Sequence, residues 1–199
     1  MEEKADRTEI VVDLSGTIAS LKPKHWYVAI VTHNTEKACG EKLEKDGYEI
    51  YVPTQREMRR WRNGRRKLID RVVIPTIIFI RCTEQERRTE IVNLPFIKRF
   101  MMNRATAVGP TRSSQVAVVP EEQIEKLRFI LYNADSPVSI ESAPLRLGDK
   151  VRVIRGRLMG LEGNVIQHKD GNPDIIVQLD ILGCARMNIS QDDLEKIPS

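Results

Sequence analysis

Asn63-Gly64 splits a cationic run into two extended arms. That dipeptide between strand-like segments is the strongest local signal for a β-hairpin, because a type I′ turn needs positive φ at both central residues. Arg59, Arg60 and Arg62 fall on one arm; Arg65, Arg66 and Lys67 fall on the other. From Arg56 to Arg71 eight residues are Arg or Lys, opposed only by Glu57 and Asp70. Like charges facing each other across two short arms repel. The arrangement therefore reads as a solvated edge hairpin or, better, as a surface for a polyanion that supplies the missing counter-charge. Trp61 also has two readings: it stacks on an unpaired base, or it covers the apolar side of the hairpin.

The flanking sequence restricts the fold further. "HWYVAIV" (25–31) has the aromatic and β-branched content of a buried strand. Residues 34–48 read as a helix capped by Asn34 and ended at Gly47, and "YEIYVP" (48–53) as a strand. "RVVIPTIIFIRC" (71–82) reads as a buried strand with Pro75 at an edge or bulge. A helix capped by Thr83 follows (83–94), then a strand (97–102), a loop, and a helix over 119–131 opened by Pro120. The order β-α-β-hairpin-β-α-β-α predicts an α+β sandwich. After a Ser- and Pro-bearing stretch the character changes. Short strands punctuated at Gly156-Arg157, 169–172 and Leu182-Gly183 suggest a small β-barrel, with helical periodicity only in the tail "DDLEKI". The predicted organisation is an extension over 1–23, a first domain over 24–132 with the basic hairpin at 55–71, a linker at 133–144, and a barrel over 145–199.

Composition narrows the chemistry. Cys39, Cys82 and Cys184 are widely spaced, and His25, His33 and His168 are scattered. Neither set has metal-ligand spacing or the pattern of a disulfide framework. There is no phosphate-binding glycine loop and no nucleophile elbow. The expectation is a non-enzyme with no metal and no cofactor. The acidic start lacks the basic, then apolar, layout of a secretion signal, and no apolar stretch reaches membrane-spanning length. A cytoplasmic protein without membrane association is expected. A monomer is expected too, because neither domain shows a spare apolar helix face.

"GDKVRVIRGRLMGLEGNVIQ" (148–167) resembles a KOW motif: alternating Val151 and Val153, a turn at Gly156, and Gly163 before a second strand. Upstream, "HWYVAIVTHNTEKACGEKL", "YVPT", a charged hairpin, "VVIPTIIFI" and "VPEEQIEKL" occur in the order of a NusG N-terminal domain. The chain thus resembles the NusG family, with a NusG N-terminal (NGN) α/β sandwich followed by a small KOW-type β-barrel. It is most similar to the specialised paralogues RfaH, LoaP and above all UpxY.

The resemblance implies docking on the clamp helices of RNA polymerase through an apolar patch, here Ile74, Pro75, Ile77 and Phe79. Housekeeping members carry Phe, Gly and Tyr where Ile74, Thr76 and Ile77 stand. It implies exposure of Ile77 and Phe79 to that partner, with Ile78, Ile80, Trp26 and Tyr27 in the core. Arg59, Arg60, Trp61, Arg62, Arg65, Arg66 and Lys67 would face non-template DNA or nascent RNA. The KOW loop, matching Arg157, Leu158, Met159 and Leu161, would bind a ribosomal small-subunit protein or Rho. The implied function is antitermination that promotes processive elongation of selected long operons, for UpxY-like proteins those of surface polysaccharide. A general elongation and Rho-coupling factor, or a ribosome-associated RNA-binding KOW protein, are the alternatives.

Overall fold

The computed structural model describes residues 11–12, 18–19, 22–103, 115–141, 148–167, 173–179 and 183–197. Residues 107–114 of the loop expected at 107–115, the turn at 169–172, Leu182, His168, and most of the 1–23 extension lie outside them, and Gln115 of that loop is in a strand. Two short strands, β1 (Val11–Val12) and β2 (Ile18–Ala19), pair with each other.

The first module is built on an antiparallel sheet. Its strands are β3 (His25–Ile30), β4 (Glu49–Tyr51), β7 (Ile77–Cys82) and β11 (Val118–Val119), ordered β11-β3-β7-β4, with β8 (Arg99–Phe100) also on β3. A separate two-stranded arm consists of β5 (Thr54–Arg60) and β6 (Arg66–Val72). Another pair is formed by β9 (Met102–Asn103) and β10 (Gln115–Val116).

Strand side chains alternate in direction, and this sheet is covered on both faces. Trp26, Val28 and Phe79 pack with Ile124, Leu127 and Leu131 of helix α3 (Glu121–Asn133). Tyr27, Ala29, Ile78, Ile80 and Cys82 pack the other way, with Cys39 and Leu43 of helix α1 (Glu36–Lys45). Burial pushes the Cys82 thiol up to about 12, so it packs as an apolar side chain.

Helix ends follow local chemistry. Gly47 has φ +90°, and Tyr48 N–H and Gly47 N–H bond the carbonyls of Leu43 and Glu44 in a Schellman arrangement. Helix α2 (Glu84–Thr89) opens with a full capping box between Thr83 and Glu86. Asn34 does not cap α1; it takes a left-handed conformation, and Thr35 occupies the cap position with its hydroxyl donating to the Thr32 carbonyl rather than capping a helix N–H.

The run 71–82 is two strands, not one. β6 ends at Val72 in the arm, and β7 begins at Ile77 in the central sheet. Between them Pro75 and Thr76 turn the chain, with Thr76 at φ +66°. That conformation is costly for a β-branched residue and would be free of strain for glycine. The surroundings hold it: Thr76 N–H donates to Glu36 Oε1 at 2.6 Å, and its carbonyl accepts from Val31 N–H at 2.9 Å.

The second module is one six-stranded antiparallel sheet, ordered β12-β16-β15-β14-β13-β17. Its strands are β12 (Ser139–Glu141), β13 (Lys150–Val153), β14 (Glu162–Gln167), β15 (Pro173–Leu179), β16 (Gly183–Asn188) and β17 (Leu194–Lys196). The region is strand-rich as expected, but no pairing closes it into a barrel among the described residues. The tail expected to be helical forms β17 after a single 3-10 turn. β12 lies inside the stretch read as a linker and pairs with β16. Gly163 sits within β14 rather than at a turn, where a Cβ would stand 2.5 Å from the Ile176 carbonyl oxygen. The apolar cluster under α3 continues through Val138 and Leu158 into this sheet, as far as Met187.

Candidate nucleic-acid interface

Seven cross-strand pairs hold the arm, from Thr54↔Val72 at its base to Arg60↔Arg66 near its tip. Trp61 N–H then donates to the Arg65 carbonyl, and Gly64 N–H to the Trp61 carbonyl, both at 2.9 Å. This encloses a three-residue loop, Arg62-Asn63-Gly64. Gly64 alone of the three has positive φ, at +77°. The hairpin is as expected, but its turn is a type I turn closed by a left-handed glycine, not type I′. Asn63 contributes through its side chain, accepting the Arg65 N–H at 3.1 Å.

Charge is segregated along the arm. At its base Arg71 pairs with Glu57 at 2.8 Å, and Arg56 with Asp70 at 3.6 Å. Both acids are thereby matched. Towards the tip Arg59, Arg60, Arg62, Arg65, Arg66 and Lys67 have no carboxylate partner among the described residues, and all are exposed. The tip is therefore a purely cationic surface, whose cost in repulsion falls when a polyanion binds.

The two faces differ. Strand alternation places Arg59, Lys67, Trp61 and Arg65 on one face, and Met58, Leu68, Arg60 and Arg66 on the other. Trp61 is 51 % exposed, with the Arg59 guanidinium 5.7 Å from its ring centre. It does not cover Met58 and Leu68, which are 62 % and 53 % exposed on the opposite side.

The expected apolar patch is distributed differently. Ile74 is buried, Pro75 is exposed and Ile77 is half-buried. Phe79, expected to face a partner, is fully buried instead and stacks on Tyr51 at 5.8 Å. The physical reason is α3: its stripe Ile124, Leu127, Leu131 needs an apolar sheet face, and Phe79 lies on it.

The accessible aromatics of this side are Phe129 and Tyr132, on the outer surface of α3. They line a cleft of about 910 Å³ with Tyr51, Arg128 and Arg157. Arg128 lies over both Trp26 and Tyr51, 5.3 and 4.8 Å from the ring centres. Sequence reading missed these residues, although Phe129 and Tyr132 fall off the buried stripe of a helix and could have been singled out by that phase.

The loop after β13 turns at Gly156, with φ +80°. Arg157 reaches back to the first module, contacting Asp135 at 3.6 Å, the Tyr132 carbonyl at 3.1 Å and the Tyr132 ring. Leu158 and Leu161 are buried in the shared apolar cluster, whereas Met159 is exposed. The chain between the modules is pinned to the arm. Buried Gln55 donates to the Ser136 carbonyl and accepts from Val138 N–H, both at 2.9 Å, and Arg71 donates to the Val138 carbonyl at 3.0 Å. No group of metal-ligating side chains forms among the described residues. None of the described helices is long and apolar enough to cross a membrane.

Comparison with known proteins agrees with this architecture. The structure of Thermotoga maritima NusG, solved for its domain interaction, is 17 % identical with a TM-score of 0.51. The match covers 88 % of this chain and 98 % of that one. At that identity the likeness shows a shared fold, which extends past the first module. A chain of the MjSpt4:Spt5 complex (conformation B) aligns over 87 % of this chain and 97 % of its own at 13 % identity. Its TM-score of 0.28 gives it no weight. No curated protein sequence matches. The family model described as "Transcription termination factor nusG" matches residues 24–128, more than half of the 199 residues. The chain belongs to the NusG family of transcription factors.

Proposed function

We propose that this protein is a specialised, non-enzymatic antitermination factor that binds RNA polymerase and keeps it processive on selected long operons, of the surface-polysaccharide kind. The observation that carries the proposal is the hairpin tip: six cations without an acid, on an arm whose base is neutralised. Such a surface is suited to the phosphates of non-template DNA or nascent RNA close to the enzyme. We place polymerase docking on the side of the first module that carries Pro75, Ile77 and the cleft aromatics Phe129 and Tyr132. Phe79 supports that surface from beneath rather than touching the clamp helices. The C-terminal sheet is read as a KOW-type module. Met159 and Arg157 are its accessible loop residues for a ribosomal small-subunit protein or Rho. Family membership by itself equally supports a second reading, a general elongation factor acting on any transcript.

Single-round transcription by the native polymerase across a terminator separates the two. The templates are the protein's own operon leader and a scrambled leader. Read-through on the native leader alone, lost in Ile77→Asp and in the combined Arg59, Arg60, Arg65 and Arg66 to Ala variant, supports the specialised factor. Read-through on both leaders selects the general factor. No effect on either, with binding to ribosomal RNA intact, overturns both.

A further inference from the structure

The two faces of the arm tip carry similar charge but different chemistry. One bears Arg59, Arg65 and Lys67 around Trp61; the other bears Arg60 and Arg66 around Met58 and Leu68. We infer that the arm binds single-stranded nucleic acid through the Trp61 face alone, with an unpaired base stacked on the indole and the adjoining phosphates held by Arg59, Arg65 and Lys67. This rests on the reading of the tip as a polyanion surface and specifies which of its faces, and which form of nucleic acid, that reading requires.

Three observations carry the inference. First, Trp61 belongs to neither apolar cluster: strand alternation puts Met58 and Leu68 on the opposite face, and the Arg59 guanidinium lies 5.7 Å from its ring centre. An indole held half exposed against a cation is a stacking platform, because a base can lie on the ring while the guanidinium stays within reach of the phosphate. Second, the loop fixes its position. The Trp61–Arg65 backbone bond and the left-handed Gly64 set Trp61 beside Arg65 at the end of the ladder, where chain can approach without meeting the body of the protein. Third, the base of this same face is covered. Gln55 and Arg71 hold the connecting chain there, and Glu57 is matched by Arg71. The unmatched cations of the face therefore start at the Arg59↔Lys67 pair and continue to the tip. The opposite face offers the exposed side chains of Met58 and Leu68, which have no π-surface on which a base can stack.

A duplex hides its bases, so only an unpaired strand can use the indole. The sugar is not discriminated by a stacked ring, and DNA and RNA strands share the required chemistry.

The test compares two variants of the full-length protein with equal charge loss: Arg59→Ala with Lys67→Ala, and Arg60→Ala with Arg66→Ala. Each is titrated with single-stranded oligothymidylate, oligouridylate and a DNA duplex, all of about twelve nucleotides, at one fixed salt concentration. The inference expects the Arg59/Lys67 variant to lose at least about tenfold more single-strand affinity than its counterpart. It expects Trp61→Ala to lose about tenfold with Trp61→Phe recovering most of it. Indole fluorescence should be quenched by single strands and far less by duplex, and the quenching should vanish in Trp61→Phe, since the other tryptophan, Trp26, is buried. Similar performance of DNA and RNA strands is the expected result, and a preference above about tenfold for either overturns the stacking account, which reads no sugar. Equal losses in the two charge variants, with Trp61→Ala silent, overturn the face assignment while leaving the polyanion reading intact. No loss in either variant defeats both. All five substituted positions are exposed, and far-ultraviolet circular dichroism checks that each variant is folded.

Discussion

β6 and β7 are consecutive strands joined only by residues 73–76, yet they live under opposite physical regimes. β7 is clamped between β3 and β4, with Ile78, Phe79 and Ile80 wholly buried. β6 is paired on one side only and carries Arg66, Lys67 and Leu68 in water. One strand is held by burial, at about 25 cal/mol per Å² of apolar surface removed from water. The other is held by register, a turn and a neutralised base, and its tip carries charge that works against it. Substitutions at the wholly buried positions of β7, Ile78, Phe79 and Ile80, should therefore be read as stability, and substitutions at the end of the arm as binding.

The largest expected effect is at Phe79. Phe79→Ala removes a ring at the centre of the cluster that α3, the central sheet and the C-terminal sheet share. It should cost about 3–5 kcal/mol, including the stacking on Tyr51. Urea unfolding measures it directly. A loss below about 1 kcal/mol, similar to that of a surface change, would mean that β7 is less constrained than its burial implies.

That prediction also marks where the sequence was readable and where it was not. The two-residue period of a strand is enough to set Ile78 and Ile80 on the face opposite Ile77 and Phe79, but which of those faces Trp26 and Tyr27 share is set by the pairing of β3 with β7. What lies over each face depends on a helix far along the chain, and the family likeness suggested a partner where α3 supplies one internally. The arm was visible from Asn63-Gly64, but the loop that closes it depends on whether Trp61 pairs with Arg65, a choice of register that the dipeptide does not encode. The break at 73–76 had a local sign, Pro75, that also fits a bulge within one strand. Val138 and Ile140 alternate as a strand would, yet Ser and Pro around them resemble a connection. Only pairing with β16 decides between the two.

The junction itself gives a middle-sized effect. Glu36 is 2 % exposed and accepts the N–H of Thr76, fixing the turn that separates arm from sheet. Burial alone would raise its carboxyl. Backbone N–H donation from Thr76, with that of Glu36 itself and Asn34, outweighs it and holds the group below the usual range. A depressed folded-state value contributes stability above the unfolded pKa and loses it as pH falls through the folded one. Glu36→Gln should then cost about 1–3 kcal/mol near neutral pH. The gap from wild type should close as the solution is acidified below about pH 4.3, where the wild-type carboxylate starts to lose its advantage. Unfolding midpoints across a pH series report this. A gap that stays constant would show that the carboxylate charge does not hold the turn.

The smallest effect is the most diagnostic for the arm. Arg60 and Arg66 face each other directly across the strands with no acid beside them. Replacing both with Ala removes a like-charge pair and buries nothing. Stability should change by no more than about 0.5 kcal/mol, and at low salt the change should be favourable. Raising the ionic strength should erase the gain, because the Debye length shrinks to about 3 Å at molar salt and the repulsion is screened. Thermal midpoints at two salt concentrations measure both statements. A destabilisation that persists at high salt would mean that the arginine stems pack on Met58 and Leu68 and support the arm. The tip would then resemble β7 in kind, differing only in the amount of surface it covers, and loss of binding in tip variants could no longer be separated from loss of the hairpin.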